Sequence, residues 1–250
     1  MREASEVYRE AMVDICHRIY AKGFVSATDG NVSARLENGN FLTTRTSINK
    51  GMVTPDDVIE VDQQGMPITS NLRPSTEIGM HLFIYSQRPE IRAVVHAHPT
   101  YATGFATARK ALDACLFPEV IIGLGAVPLA EYATPSTEEI ARSLAPFVHQ
   151  ADAILLANHG VVTCGKDLYD AYFKMEKVEH AAHITFIAHV LGGGRTLSAG
   201  DVDKLRAISQ EAYGKDFSDK PACATGDRPS TEIPTDEEIR SIVRQMIHRS

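Results

Sequence analysis

Excess positive charge is missing from this chain. Its 250 residues hold 25 Lys and Arg against 32 Asp and Glu, a formal net charge of -7. That balance gives no general attraction to nucleic acid or to an anionic membrane. It does not exclude a small anionic substrate, which depends on the local site. Cysteine is also scarce: Cys16, Cys115, Cys164 and Cys223 stand far apart, and none forms a Cys-x-x-Cys pair. Neither a disulfide framework nor a zinc ribbon is indicated, and reduced thiols in a cytoplasm are expected. No apolar run reaches membrane-spanning length, and the polar, acidic start Met1-Arg2-Glu3-Ala4-Ser5-Glu6 precedes no signal-peptide core. The expectation is a cytoplasmic protein that engages no membrane. No long low-complexity linker divides the middle, so the chain reads as one domain, residues 1–214, with a linker and C-terminal helix over 215–250.

What is present is an ordinary globular composition, 44% hydrophobic and 23% charged. Tyr8, Met12, Ile15 and Ile19 predict a helix over residues 4–21 that Gly23 stops. Val32–Leu36 alternates as a strand does, Asn38-Gly39 is a hairpin turn, and Phe41–Thr44 returns as the partner. Val58–Asp62 reads as another strand. Leu116–Ile122 and Ala126–Leu129 read as strands or strand edges. Helices are predicted over 137–148, from near Lys166 to Gly192, and over 199–212. Residues 215–234 carry several prolines and read as a linker before a last amphipathic helix with Ile239, Ile242, Val243 and Met246.

The chemistry gathers between Arg73 and Pro99. Ala93-Val94-Val95 reads as a buried strand that runs into His96-Ala97-His98. Residues two apart on a strand share a face, so the two imidazoles stand side by side. A third histidine follows a second apolar strand: Ala153–Ala157 leads into Asn158-His159-Gly160. Three imidazoles and one carboxylate make a plausible shell for a divalent metal. Ser75 and Thr76 stand where they cap a helix, whose free N–H groups favour anions. The tetrapeptide Pro-Ser-Thr-Glu recurs at residues 135 and 229, so it is mainly a helix-start signal, with Ser136 and Glu139 at capping-box spacing. His180, His183 and His189 lie in a helix without the H-E-x-x-H pattern and read as structural or surface residues.

Taken together these residues resemble the class II aldolase/adducin family, most closely its L-fuculose-phosphate aldolase branch, over about residues 5–214. Thr28-Asp29-Gly30-Asn31-Val32-Ser33 is similar to the family's T-x-G-N-[VI]-S loop. Thr44-Arg45-Thr46-Ser47 stands at its second phosphate-loop motif, and Ser75-Thr76-Glu77 matches S-[ST]-E. His96-Ala97-His98 and His159-Gly160 match the H-x-H and H-G metal motifs. The resemblance implies a three-layer α/β/α sandwich around a mainly antiparallel sheet. It implies a divalent metal, usually zinc with manganese or cobalt as alternatives, on His96, His98, His159 and Glu77. Glu77 would also move the proton, and Thr28, Asn31, Thr46, Ser47, Ser75 and Thr76 would hold a phosphate.

The implied reaction is cleavage of a ketose 1-phosphate to dihydroxyacetone phosphate and an aldehyde through an enediolate. The alternative is decarboxylation of a hydroxy or keto acid or sugar-acid phosphate. The implied assembly is a homotetramer whose active sites lie at subunit interfaces. Tyr213 matches the family's C-terminal catalytic tyrosine. The tyrosine that donates a proton from a neighbouring subunit has no counterpart, because Phe117-Pro118 stands there. Glu119 is the nearest replacement.

Overall fold

The stripe of Met12, Ile15 and Ile19 becomes fully buried in the first helix, α1 (Ala4–Ala21). A computed structural model describes residues 4–68, 70–214 and 220–225, without the side chains of 4, 212 and 213. After α1 come β1 (Asn31–Arg35), β2 (Phe41–Thr44) and β3 (Val58–Val61), then α2 (Ile78–Gln87), β4 (Ala93–Ala97) and α3 (Thr100–Thr107). The second half runs through α4 (Pro118–Gly123), β5 (Leu129–Ala130), α5 (Glu138–Leu144), β6 (Ala153–Leu156), β7 (Gly160–Gly165), α6 (Leu168–Val190) and α7 (Ala199–Tyr213).

One seven-stranded sheet has the order β3-β2-β1-β4-β7-β6-β5. Every pairing is antiparallel except β5 with β6. Alternation along the strands splits the core into two layers. Val95, Ala97, Leu155 and Val161 pack with α1, α3, α4 and α6. Val94, Ile154, Leu156 and Val162 face the other way, against α2 and α5. The expected α/β/α sandwich is therefore present. On α6, Leu168, Tyr172, Met175, Val178 and Ala182 form the buried stripe that their spacing predicts.

Three expectations need correction. Residues 118–123 form α4, not a strand. Pro118 sits in the first turn, where its missing N–H costs nothing; Val120 and Leu124 then bury in the main core, and Ile121 in a smaller cluster with Cys115, Val202 and Cys223. A short β-branched run is ambiguous in sequence, and the proline decides it. Helix α5 is shorter than predicted, and its cap is Thr137 rather than Ser136.

The expectation of four reduced thiols also fails, because Cys115 and Cys223 form a disulfide across 108 residues of sequence. Segment 220–225, which falls in the expected linker, lies along residues 113–126. Cys115 N–H donates to the Ala224 carbonyl, Ala224 N–H to Asp113, and Ala126 N–H to Pro221. Cys16 and Cys164 are free and buried. The predicted last helix lies outside the described residues.

At the end of the sheet where β6 begins and β7 finishes, a buried carboxylate gathers three cations. Asp152 Oδ1 accepts from Arg88 and from Lys220, each at 2.7 Å. Lys174 Nζ lies 3.0 Å from Asp152 Oδ2 and also binds Asp170 at 2.8 Å. Burial alone would raise the Asp152 pKa, but Lys174, Lys220 and Arg88 outweigh it and hold it well below the usual carboxylate range.

Candidate metal centre

The other end of the sheet carries the histidines. His96 is the fourth residue of β4, pairs with Asn31 of β1 and Val162 of β7, and is wholly buried. His98 follows the strand, with its N–H on the Phe24 carbonyl. His159 lies in the turn between β6 and β7, after Asn158, whose φ is +55°. A methyl group on Gly160 would stand 2.6 Å from both the Ala97 carbonyl oxygen and the His98 ring, so only glycine lets β7 start here. A methyl group on Gly30, at φ +72°, would stand 2.9 Å from the His96 carbonyl oxygen.

The three rings converge. His96 Nε2 and His98 Nε2 are 3.1 Å apart, and candidate ligand atoms of all three histidines lie within 4.8 Å of one another. Glu77, the residue before α2, aims one carboxylate oxygen at each of two rings. Its Oε2 lies 3.3 Å from His96 Nε2, and its Oε1 lies 3.3 Å from His159 Nε2. His96 Nδ1 sits 2.9 Å from the Val161 carbonyl, so it carries the proton and leaves the Nε2 lone pair facing inward.

Burial lowers the pKa of all three histidines, and the pull is strongest on His96, where His98 and His159 add to it. Neutral imidazoles offer lone pairs, as a metal requires. Burial raises Glu77, partly opposed by a 2.9 Å hydrogen bond from Asn31 Nδ2 to Oε2. Glu77 Oε1 and His159 Nδ1 are buried and have no hydrogen-bond partner. A divalent cation among these atoms suits them: it would take up the lone pairs that now face one another.

Two of the residues expected to hold phosphate, Asn31 and Ser75, touch Glu77 directly. Thr46 N–H donates to the Arg73 carbonyl and Ser75 N–H to the Thr44 carbonyl, so the loop after β2 lies beside the turn before α2. Ser75 Oγ accepts the Glu77 N–H at 3.3 Å, while the helix cap is Glu77, one residue after Thr76 and two after Ser75. The Thr28 loop is joined to the Ser47 loop through Asn49 Nδ2 on the Ala27 carbonyl at 2.8 Å.

Two residues were missed from sequence. Asp29 Oδ2 lies 3.7 Å from His98 Nδ1. Lys50, buried, donates to the carbonyls of Thr28 at 3.3 Å and Ile48 at 2.9 Å. Asp29 sat within a quoted motif at its variable position, and Lys50 carried no motif signal. Glu119 is exposed on α4, and among the described residues no hydrogen bond or ion pair joins it to the histidines. Tyr213 ends α7, and its side chain lies outside the described residues. His183 stacks on Tyr101 with ring centroids 3.9 Å apart, in keeping with its structural reading.

Known proteins are similar to this chain in sequence and fold. Over 206 residues the chain is 35% identical to a 3-oxo-tetronate 4-phosphate decarboxylase of Escherichia coli K12, covering 80% of this chain and 95% of that one. Over 180 residues it is 36% identical to an L-fuculose phosphate aldolase of Methanococcus maripaludis, covering 72% and 96%. Among solved structures it is similar to Escherichia coli YgbL, whose description leaves aldolase, epimerase and decarboxylase open. That likeness has a TM-score of 0.76, 32% identity, and coverage of 82% of this chain and all of that one. Residues 10–186 match the Class II Aldolase and Adducin N-terminal domain, and the chain belongs to that family.

Proposed function

We propose that this protein is a zinc-dependent carbon–carbon lyase that decarboxylates a 3-oxo sugar-acid phosphate, forming dihydroxyacetone phosphate and carbon dioxide. The observation that carries this reading is the convergence of His96, His98, His159 and Glu77 beside the hydroxyl-bearing loops at Thr28, Thr46, Ser47, Ser75 and Thr76. Zinc, held by the three histidines and Glu77, would act as a Lewis acid toward the substrate's keto and neighbouring hydroxyl oxygens.

The chain's own groups account for the rest. The hydroxyls and N–H groups of the three loops, with Asn31, hold the phosphate and fix the reacting carbons. Loss of carbon dioxide breaks the bond between the carboxylate and its neighbouring carbon, and the electron pair becomes the enediolate. Glu77, with an oxygen free of any protein hydrogen bond, would take a proton from water once the substrate has displaced it from the metal, and deliver that proton to the carbon. Decarboxylation needs no donor to a departing aldehyde. This suits a chain with Phe117-Pro118 where the resemblance places the donor tyrosine.

Aldol cleavage of a ketose 1-phosphate is the second reading. It uses the same enediolate and is favoured by the likeness to the fuculose phosphate aldolases. It would need its proton donor from Tyr213 or another group. In either reading a homotetramer is proposed. Phe173, Phe186 and Val190 on α6, with Leu191 just after it, expose apolar surface of the kind that subunits cover.

The test offers the zinc-loaded protein 3-oxo-tetronate 4-phosphate, fuculose 1-phosphate and ribulose 1-phosphate in turn. Dihydroxyacetone phosphate is read by coupled reduction, with carbon dioxide and aldehyde measured separately. Equimolar carbon dioxide and dihydroxyacetone phosphate from the keto acid are expected. Aldehyde from a ketose phosphate, with no carbon dioxide from the acid, would replace the first reading with the second. No product from any of the three would sink both.

A further inference from the structure

The second Pro-Ser-Thr-Glu copy does not serve α5 as its spacing predicts. Thr137 caps that helix: its Oγ1 accepts from Glu139 N–H at 3.3 Å and donates to the Thr134 carbonyl at 2.7 Å. Ser136 is left outside the cap in a strained conformation. Its φ is +64°, in the left-handed region that residues with a side chain rarely adopt. Strain of this kind persists where the surroundings impose it, and it often marks a working position.

The strained backbone aims the Ser136 hydroxyl across the structure. Ser136 Oγ donates to Thr76 Oγ1 at 2.9 Å, so the two Ser-Thr turns face each other. A cavity of about 240 Å³ opens between them, and its lining includes Thr76, Ser136 and Thr137 together with the carboxylates Glu77 and Glu138. Thr76 thus accepts a hydrogen bond on one side while its own hydrogen remains to be placed. A hydroxyl that accepts is polarised and donates more strongly.

We propose that Ser136 is a positioning residue: it fixes the Thr76 hydroxyl so that its hydrogen points at an anionic oxygen of the substrate. The inference rests on the phosphate reading above. It also explains the conformation, since a glycine at this position would hold the turn without strain but would have no hydroxyl to give. The second Ser-Thr turn therefore belongs to the substrate site, although it touches none of the histidines.

The experiment titrates inorganic phosphate into the zinc-loaded protein by calorimetry and follows thermal unfolding in parallel. Ser136→Gly removes the donor and relieves the backbone. Ser136→Asn keeps a donor on a residue that tolerates positive φ. The expected result is phosphate binding about fivefold weaker in Ser136→Gly, the worth of one ordinary hydrogen bond. Its unfolding midpoint should be unchanged or higher. Ser136→Asn should stay within about twofold of the parent, on the same scale.

The deciding comparison is Thr76→Ala with and without Ser136→Gly. If Ser136 acts through Thr76, the double variant binds phosphate no more weakly than Thr76→Ala alone. Additive losses, or a Ser136→Gly variant that binds like the parent, would overturn the proposal and leave the phosphate reading standing. A parent protein with no measurable phosphate binding would overturn the phosphate reading and this inference with it.

Discussion

The two ends of the central sheet both bury charged or polar groups, and they satisfy them in opposite ways. At the Asp152 end one carboxylate meets Arg88, Lys174 and Lys220, and those cations have further partners in Glu90 and Asp170. At the histidine end the acceptors face one another, and Glu77 Oε1 and His159 Nδ1 find no partner. Buried polar atoms are normally paired, so a saturated cluster is read as structure and an unsaturated one as a place for a ligand. Position on the sheet, burial and the presence of a carboxylate do not separate the two; satisfaction does.

The sharpest way to break this comparison is to remove one ligand. His98→Ala should take zinc from about one ion per chain to near none after dialysis, because two imidazoles and one carboxylate leave an incomplete shell. Its metal-free unfolding midpoint should hardly move. Elemental analysis with a thermal melt checks both, and full metal content in the variant would mean the shell is wrongly assigned.

The converse change is Asp152→Asn. It strands three cations and should cost about 3 kcal/mol of stability while leaving metal content intact. The pH dependence follows from the depressed pKa of Asp152. Its stabilisation is present above its unfolded pKa of about 3.9 and is lost as pH falls through the lower folded value. Denaturant titrations should therefore show a constant gap between variant and parent at neutral pH that closes only in strong acid. A gap that closes near neutrality would show that another group carries the effect.

The smallest effect is expected on the pH axis from Asn31→Ala, which besides weakening the hold on phosphate takes away the hydrogen bond that holds Glu77 down against its burial. The Glu77 pKa should then rise, so the basic limb of kcat/KM, where Glu77 loses the proton it delivers, moves to higher pH. An unmoved limb would separate Asn31 from the ionisation of Glu77.

Much of this was legible because it repeats at short range. The stripes of α1 and α6, the Asn38-Gly39 hairpin, and the apolar strands that end in His96 and His159 all show their periods in the chain. The histidine trio was legible because His96 and His98 share a strand and His159 ends another. What could not be read depends on pairing across space. Asp29 gains a role only when its loop folds over His98, and Ser136 only when α5 is set against α2. Residues 118–122 misled because an apolar run fits a strand as well as a helix, and Pro118 was not weighed as a helix start.

Cys115 and Cys223 had no local signal either, and their bond has a topological consequence. It closes a covalent ring that contains His159 but leaves His96 and His98 outside. An ion held by all three would therefore join ring to stem. Drawn as a graph, the chain with its disulfide and an ion on the three histidines would have three independent cycles, and no single backbone cut between residues 115 and 223 could divide it into separate molecules.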